Sequence, residues 1–327
     1  MVNVETGFGA GMPLWNGLGT CVKDAPTSAE AIKLAGLDWN VEPRNIFDEF
    51  GREIPKYKVN VRTSDNTPLG IVTDKYKIVQ NAEAFAFTDA LLGKMGVRYE
   101  TAGALATGRK VWMLARMEDR LMAEEEMENY LLFTNSHDGT GAVRVACTSV
   151  RVVCQNTLNL ALKTAKRHWS CVHKGDIQSK LEEARYTLSS ADKYLNALEN
   201  EFGELKLKKV TDKQVEEMTE KLLQLEFKNL FAQAAKKGTD FKDRLRQQKY
   251  EDKIEMKRHD ILTIYHEKPD LIGTEKSAFR FVNAVSDYAT HTDDHKHTQS
   301  YQENLFIKTV DGGNNLIDTA YQLALAV

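Results

Sequence analysis

The sequence of 327 residues is poor in several things whose scarcity narrows what the chain can be. It has four cysteines, Cys21, Cys147, Cys154 and Cys171, few and irregularly spaced for this length, which argues against a disulfide scaffold and for reduced, mostly buried thiols. No stretch approaches the ~20 consecutive apolar residues that a membrane span requires, and Met1–Gly19 lacks a basic region followed by an apolar run. A cytoplasmic protein away from the membrane is therefore expected. Internal repeats and low-complexity segments are missing. So is any enzyme motif of high specificity: the glycines of Gly7–Gly11 lack the preceding strand and following helix that a phosphate-binding loop needs. Net charge is also small, with 44 Lys and Arg against 47 Asp and Glu, which excludes a uniformly basic nucleic-acid coat.

The most informative absence is local. Between Asp138 and Asp176 there is no Asp or Glu, while the interval carries Arg144, Arg151, Lys163, Lys166, Arg167 and Lys174, with His168, His173 and Trp169. Tyr130–Asn135 and Ala142–Val150 read as two strands joined by the turn Ser136-His137-Asp138-Gly139-Thr140-Gly141. A helix is expected from about Arg151. Leu158, Ala161, Leu162 and Ala165 make one apolar face, which puts Asn156, Asn159, Lys163, Lys166 and Arg167 on its flank and back. Strand alternation sends Arg144 and Thr148 to the face opposite Val143, Val145 and Cys147. Such a hairpin and helix can track a phosphodiester backbone, with Trp169 available for base stacking. Two other readings of the stripe stay open: a solvated face, paired or not with the acidic stretch Glu118–Glu128, and a contact for an acidic protein. That acidic stretch itself reads as a solvated loop or helix end.

The expected class is α+β, with a central antiparallel sheet, a hairpin–helix core, a long helical region and a small C-terminal α/β element. Residues 1–55 read as an irregular arm with one short helix at Ser28–Leu34, capped by Thr27 or Ser28. Residues 56–175 form the β-rich core. They include strands around Tyr57–Val61, Leu69–Val72, Val97–Thr101 and Lys110–Arg116, and a helix capped by Asn81. Residues 176–268 are helical, over Lys180–Glu201, Asp212–Phe227 and Phe241–Tyr265, with Thr211 capping the second. In 269–327 a helix at Glu275–Thr290, a strand at Leu305–Val310 and a terminal helix from about Leu316 pack on the core, so one interlocked unit is expected.

The run His291-Thr-Asp-Asp294-His295-Lys-His297 could ligate a divalent metal, although as a polar connection it matches no established ligand spacing. His168, Cys171, His173 and Cys154 likewise lack one, so no cofactor is expected. Cysteine catalysis at Cys154 would need a base and an orienting group that spacing does not supply.

Several of these residues carry a family resemblance. Pro13-Leu14-Trp15 with Gly17-Leu18-Gly19, Leu69-Gly70, Tyr76, Gln80-Asn81, the run Arg151–Leu158, and Asn283-Ala284-Val285 with Asp287-Tyr288 and His291 resemble the phage- and plasmid-associated family of domain of unknown function 932, over nearly the whole chain. The resemblance implies an accessory protein of a mobile element that handles single-stranded DNA in recombination, annealing or protection, or that blunts host defence. The combined expectation is a non-enzymatic, oligomer-forming single-stranded DNA binder using Arg144, Arg151, Asn156, Asn159, Lys163, Lys166, Arg167 and Trp169. The alternatives are an inhibitor of a host defence protein and a metal-dependent nuclease centred on His291, Asp294, His295 and His297.

Overall fold

The computed structural model describes residues 18–25, 27–90, 97–151, 160, 168–183, 187–234, 241–272, 274–291 and 315–327. The fold is α+β around a central antiparallel sheet. That sheet contains β1 (Thr20–Cys21), β5 (Arg98–Leu105), β6 (Lys110–Arg116), β8 (Glu125–Ser136), β9 (Val143–Arg151) and β10 (His168–Cys171) in this order, with β7 (Arg120–Met122) also paired to β8. A second antiparallel sheet is formed by β2 (Val41–Phe47), β3 (Glu53–Arg62) and β4 (Pro68–Thr73).

The central strands bury both faces. In β6, Val111, Met113 and Ala115 join the main core, whereas Trp112 and Leu114 join a second cluster with Leu105, Tyr130, Leu132 and Val150. This explains the nearly continuous apolar run of V-W-M-L-A, since a strand covered on both sides has no polar face to alternate with. Gly19 and Gly103 lie under Trp112: a Cβ on Gly19 would stand 2.6 Å from its ring.

The main core continues without interruption into the helices. These are α1 (Ser28–Leu34), α2 (Asn81–Ala86), α3 (Ile177–Glu183), α4 (Thr187–Leu207), α5 (Asp212–Ala234), α6 (Phe241–Glu267), α7 (Pro269–Ile272), α8 (Ala278–His291) and α9 (Asn315–Leu325). Thr27 caps α1, its hydroxyl accepting from the Glu30 amide. Thr211 caps α5 in a reciprocal box: its hydroxyl accepts from the Gln214 amide, and Gln214 Oε1 accepts from the Thr211 amide at 2.9 Å. Helix α8 is buried almost all round. Its Arg280 donates to the carbonyls of Tyr265 and Thr274, and its Asp287 pairs with Lys268. The run Asn283–Asp287 is thus the spine of the helical layer.

Three expectations need correction. Residues 41–47, read as part of an irregular arm, form strand β2. It is an edge strand with one buried residue, Val41, and an edge tolerates Pro43, which cannot complete an interior ladder. The strand β9 runs one residue past the expected Val150, with Arg151 paired to Met127; the helix expected from about Arg151 lies, apart from Leu160, outside the described residues, as does the strand expected at Leu305–Val310. The acidic stretch is a β-hairpin: Met122 pairs with Glu125, and Glu125 is buried against Lys206 at 3.1 Å.

The turn of that hairpin places Ala123 and Glu124 at φ of 48° and 66°. Two left-handed residues match a type I′ turn, which favours glycine at the second position. Glu124 is exposed, and Lys206 also donates to the Ala123 carbonyl. Glu124→Gly should therefore stabilise the protein by roughly 0.5–1 kcal/mol. The check is the midpoint of urea unfolding, which should rise with an unchanged slope.

Candidate functional site

The turn between β8 and β9, residues 136–141, is where the two sheets meet, and its own chemistry fixes its shape. Asp138 Oδ1 accepts from the Ser136 hydroxyl (2.7 Å), the Thr140 amide (2.9 Å) and the Thr140 hydroxyl (2.7 Å). Burial works against the charge of Asp138, but these bonds and nearby Lys110 hold its carboxyl below the usual range. Gly139 takes φ of 78°, open to glycine at no steric cost. The small sheet presses on this turn: a Cβ on Gly70 would fall 2.5 Å from Asp138 Cα, and Asn60 Nδ2 donates to the His137 carbonyl at 2.7 Å.

Two histidines are sealed into the joint. His137 is fully buried and His173 is 3% exposed. Asn81 Nδ2 donates to the Leu37 carbonyl, so its Oδ1 is left to accept from His137 Nε2 at 2.9 Å. His173 Nδ1 donates to the Lys77 carbonyl at 3.0 Å, while Tyr76 stacks on the ring at 4.6 Å and donates its hydroxyl to the Ser136 carbonyl at 2.6 Å. Each imidazole is therefore neutral with its tautomer set, and His137 Nδ1 and His173 Nε2 are buried lone pairs with no hydrogen-bond partner. Burial pulls His137 down to about 4, helped by His173, and lowers His173 as well. Burial and the charge of Asp138 raise Tyr76. Trp39 meets the His137 ring edge-on, and Arg62 lies 5.3 Å over Trp39.

Beside this joint, on the Trp112 side of the large sheet, is a cavity of about 110 Å³. Register explains its lining: Lys110 pairs with Ser136, Trp112 with Thr134, and Thr134 with Arg144. The lining thus takes Lys110 from β6, Thr134 from β8 and Arg144 from β9, with the turn residues Ser136 and Thr140. The Ser136 and Thr140 hydroxyls bond Asp138, and the lining also includes the side chains of Lys110, Arg144 and Thr134. The arrangement suits an oxyanion of about the size of one phosphate group.

The sequence-based candidates fall unequally on this picture. Arg144 lines the cavity, half-buried, on the face opposite Val143 and Val145. Trp169 is half-buried and packs against the main core. Arg151 lies at the end of β9, but its side chain, together with Asn156, Asn159, Lys163, Lys166 and Arg167, lies outside the described residues. His291 ends α8, whereas Asp294, His295 and His297 are also outside them, as is Cys154. Cys171 and His173 diverge: the sulfur reaches the Val172 carbonyl and His173 faces Lys77. Among the described residues no group of three His, Cys, Asp or Glu is placed to hold a metal ion. Nor is any described helix long and apolar enough to cross a membrane.

Lys110, Asn81, His137 and Asp138 have no site role in the sequence reading, and His173 enters it only among the four residues weighed as metal ligands. The signal available was the turn S-H-D-G-T-G, in which an Asp two residues before a Thr predicts a self-bonded loop. Leu69-Gly70, Tyr76 and Gln80-Asn81, which carried the resemblance in this region, all converge on that turn or its supports. No curated protein and no solved structure matches the chain. A family model described as domain of unknown function (DUF932) matches residues 68–308, and the chain belongs to that family.

Proposed function

We propose that the protein binds nucleic acid, with single-stranded DNA as its ligand, and that it does so without catalysing a reaction. The observation that carries this reading is the pair Lys110 and Arg144 lining a phosphate-sized cavity at the head of the acid-free segment 139–175. Two cations on β6 and β9, the strands on either side of β8, can contact nearby backbone oxygens of one strand, and Thr134 of β8 adds a neutral donor. The same segment carries Arg151, Lys163, Lys166, Arg167 and Lys174, which would add further phosphate contacts. The proposed setting is an oligomeric accessory protein of a phage or mobile element, in the host cytoplasm, acting in annealing or in DNA protection.

The test is a salt titration of binding to labelled single- and double-stranded DNA. Each phosphate contact contributes a slope of about 0.7 in log K against log salt for a single strand, so Lys110→Ala with Arg144→Ala should flatten it by about 1.4. Wild-type protein that fails to bind either DNA at low salt would sink the reading.

A further inference from the structure

The small sheet carries a surface feature separate from the cavity. Strand β4 pairs with β3 only from Tyr57 to Val61, whereas β2 pairs with β3 up to Asn45–Lys58 and, beyond an irregularity in register, again at Phe47–Glu53. The β2–β3 hairpin therefore projects beyond its third strand. Among the described side chains, the exposed Phe and Tyr are Phe47 (56% exposed), Phe50 (73%) and Tyr57 (48%), all on this hairpin. Ile54 and, next to Val59 across the register, Ile71 widen the apolar surface. Exposed apolar residues grouped in one hairpin and its neighbouring strand mark a contact site.

Its charge says what kind of contact. From Val41 to Arg62 there are five cations (Arg44, Arg52, Lys56, Lys58, Arg62) and four carboxylates (Glu42, Asp48, Glu49, Glu53). Arg44 pairs with Glu42, Arg52 with Asp48 and Lys58 with Glu53, and Arg52 also lies 5.1 Å over the Phe50 ring. A nearly neutral ribbon cannot anchor a polyanion by itself, but it does not repel one, and Arg44, Arg52 and Lys56 are exposed on it. At its base the ribbon is bonded to the turn beside the cavity through Asn60, and the neighbouring Gly70 and Val72 of β4 pack on Asp138 and Gly139. Rings that are exposed and interleaved with Arg and Lys, on a sheet whose base meets the turn beside the cavity, match unpaired bases, whose faces stack whatever the sequence.

We infer that the β2–β3 ribbon is a stacking platform for the bases of single-stranded nucleic acid whose phosphates are held at Lys110 and Arg144. This rests on the nucleic-acid reading above and divides the labour: the cavity supplies the salt-dependent part of the affinity and the ribbon the salt-independent part.

The experiment uses fluorescein-labelled thirty-nucleotide oligo-dT and the full chain. The triple variant Phe47→Ala, Phe50→Ala, Tyr57→Ala should bind at least about 10-fold more weakly, with the same slope against salt as wild type. All three side chains are exposed, so circular dichroism and unfolding midpoint should be unchanged. Affinity within about twofold of wild type, while Lys110→Ala with Arg144→Ala still weakens binding, overturns the platform and leaves the nucleic-acid reading standing. The same DNA result with a lower oligomeric state in the triple variant assigns the ribbon to contact between copies and also overturns it. Absence of wild-type binding overturns both.

Discussion

Gly70→Ala is expected to destabilise the protein by about 2–3 kcal/mol, because the added methyl has only backbone to move. Its Cβ would lie 2.5 Å from Asp138 Cα, 2.7 Å from Asp138 Cβ and 3.0 Å from the Asp138 carbonyl oxygen. None of these is the loose end of a flexible side chain. Relief requires the small sheet to lift from the turn, which would strain the Asn60–His137 bond and the packing of Val72 on Gly139. Two other glycines separate this effect from ordinary glycine loss. Gly203 lies inside α4 with nothing within 4 Å of its Cβ position, so Gly203→Ala should stabilise by up to about 1 kcal/mol. Gly36 also has open space but sits at φ of 66°, so Gly36→Ala should cost about 1 kcal/mol through backbone strain alone. Urea unfolding of the three variants should give this order. A Gly70→Ala protein as stable as wild type would mean the two sheets do not meet as described.

The second large effect is acid sensitivity seated in the histidine pair. His137 titrates at about 4 in the folded protein against 6.5 when free, because burial disfavours its charged form. Between these values the unfolded chain binds a proton that the folded chain refuses. Stability therefore rises with pH across that window and is lost as pH falls through it. For His137 alone the loss from pH 7 to pH 5 is about 2 kcal/mol. His173 is shifted in the same direction and adds to it. Asp138 favours the protonated rings, His173 opposes charge on His137, and the hydroxyl of Tyr76 stays neutral throughout. His137→Gln keeps an amide donor able to reach Asn81 Oδ1 and has nothing to titrate. Urea midpoints at pH 7, 6 and 5 should fall steeply for wild type and more gently for the variant, the difference at pH 5 being about 2 kcal/mol. Parallel curves would show that another group controls the acid response.

Much of the fold was legible because local periodicity encodes it. Strand β6 announces itself by its apolar run, α1 and α5 by the caps Thr27 and Thr211, and the β8–β9 hairpin by its glycine-bearing turn. Strand β2 did not, since V-E-P-R-N-I-F has one buried residue and a proline. The acidic hairpin was obscured by charge, although Glu125 is buried because Lys206 comes to it from α4, far along the chain. The candidate site was legible in part. Alternation along β9 assigned Arg144 to the correct face. Lys110 gave no local sign, because only the cross-strand register brings it to the same cavity. The histidine joint is invisible for the same reason: His137 finds Asn81 across 56 residues and His173 finds Lys77 across 96. Periodicity within a segment carries no record of such partners.

The segment from Tyr76 to Asn81 has a further consequence. Tyr76 holds Ser136, Lys77 exchanges two bonds with His173, and the Val79 carbonyl accepts from Asn135. The Gln80 amide bonds both N and O of Val41, standing in for a neighbouring strand, and Asn81 ties Leu37 to His137. Six consecutive residues thus act as a keystone between β2, β8, the turn and the chain after β10. Opening any one of these contacts exposes buried groups that belong to the others, so both sheets at this joint form a single cooperative unit. The projecting end of the ribbon, beyond Tyr57, is outside the keystone, so local opening there disturbs none of these contacts.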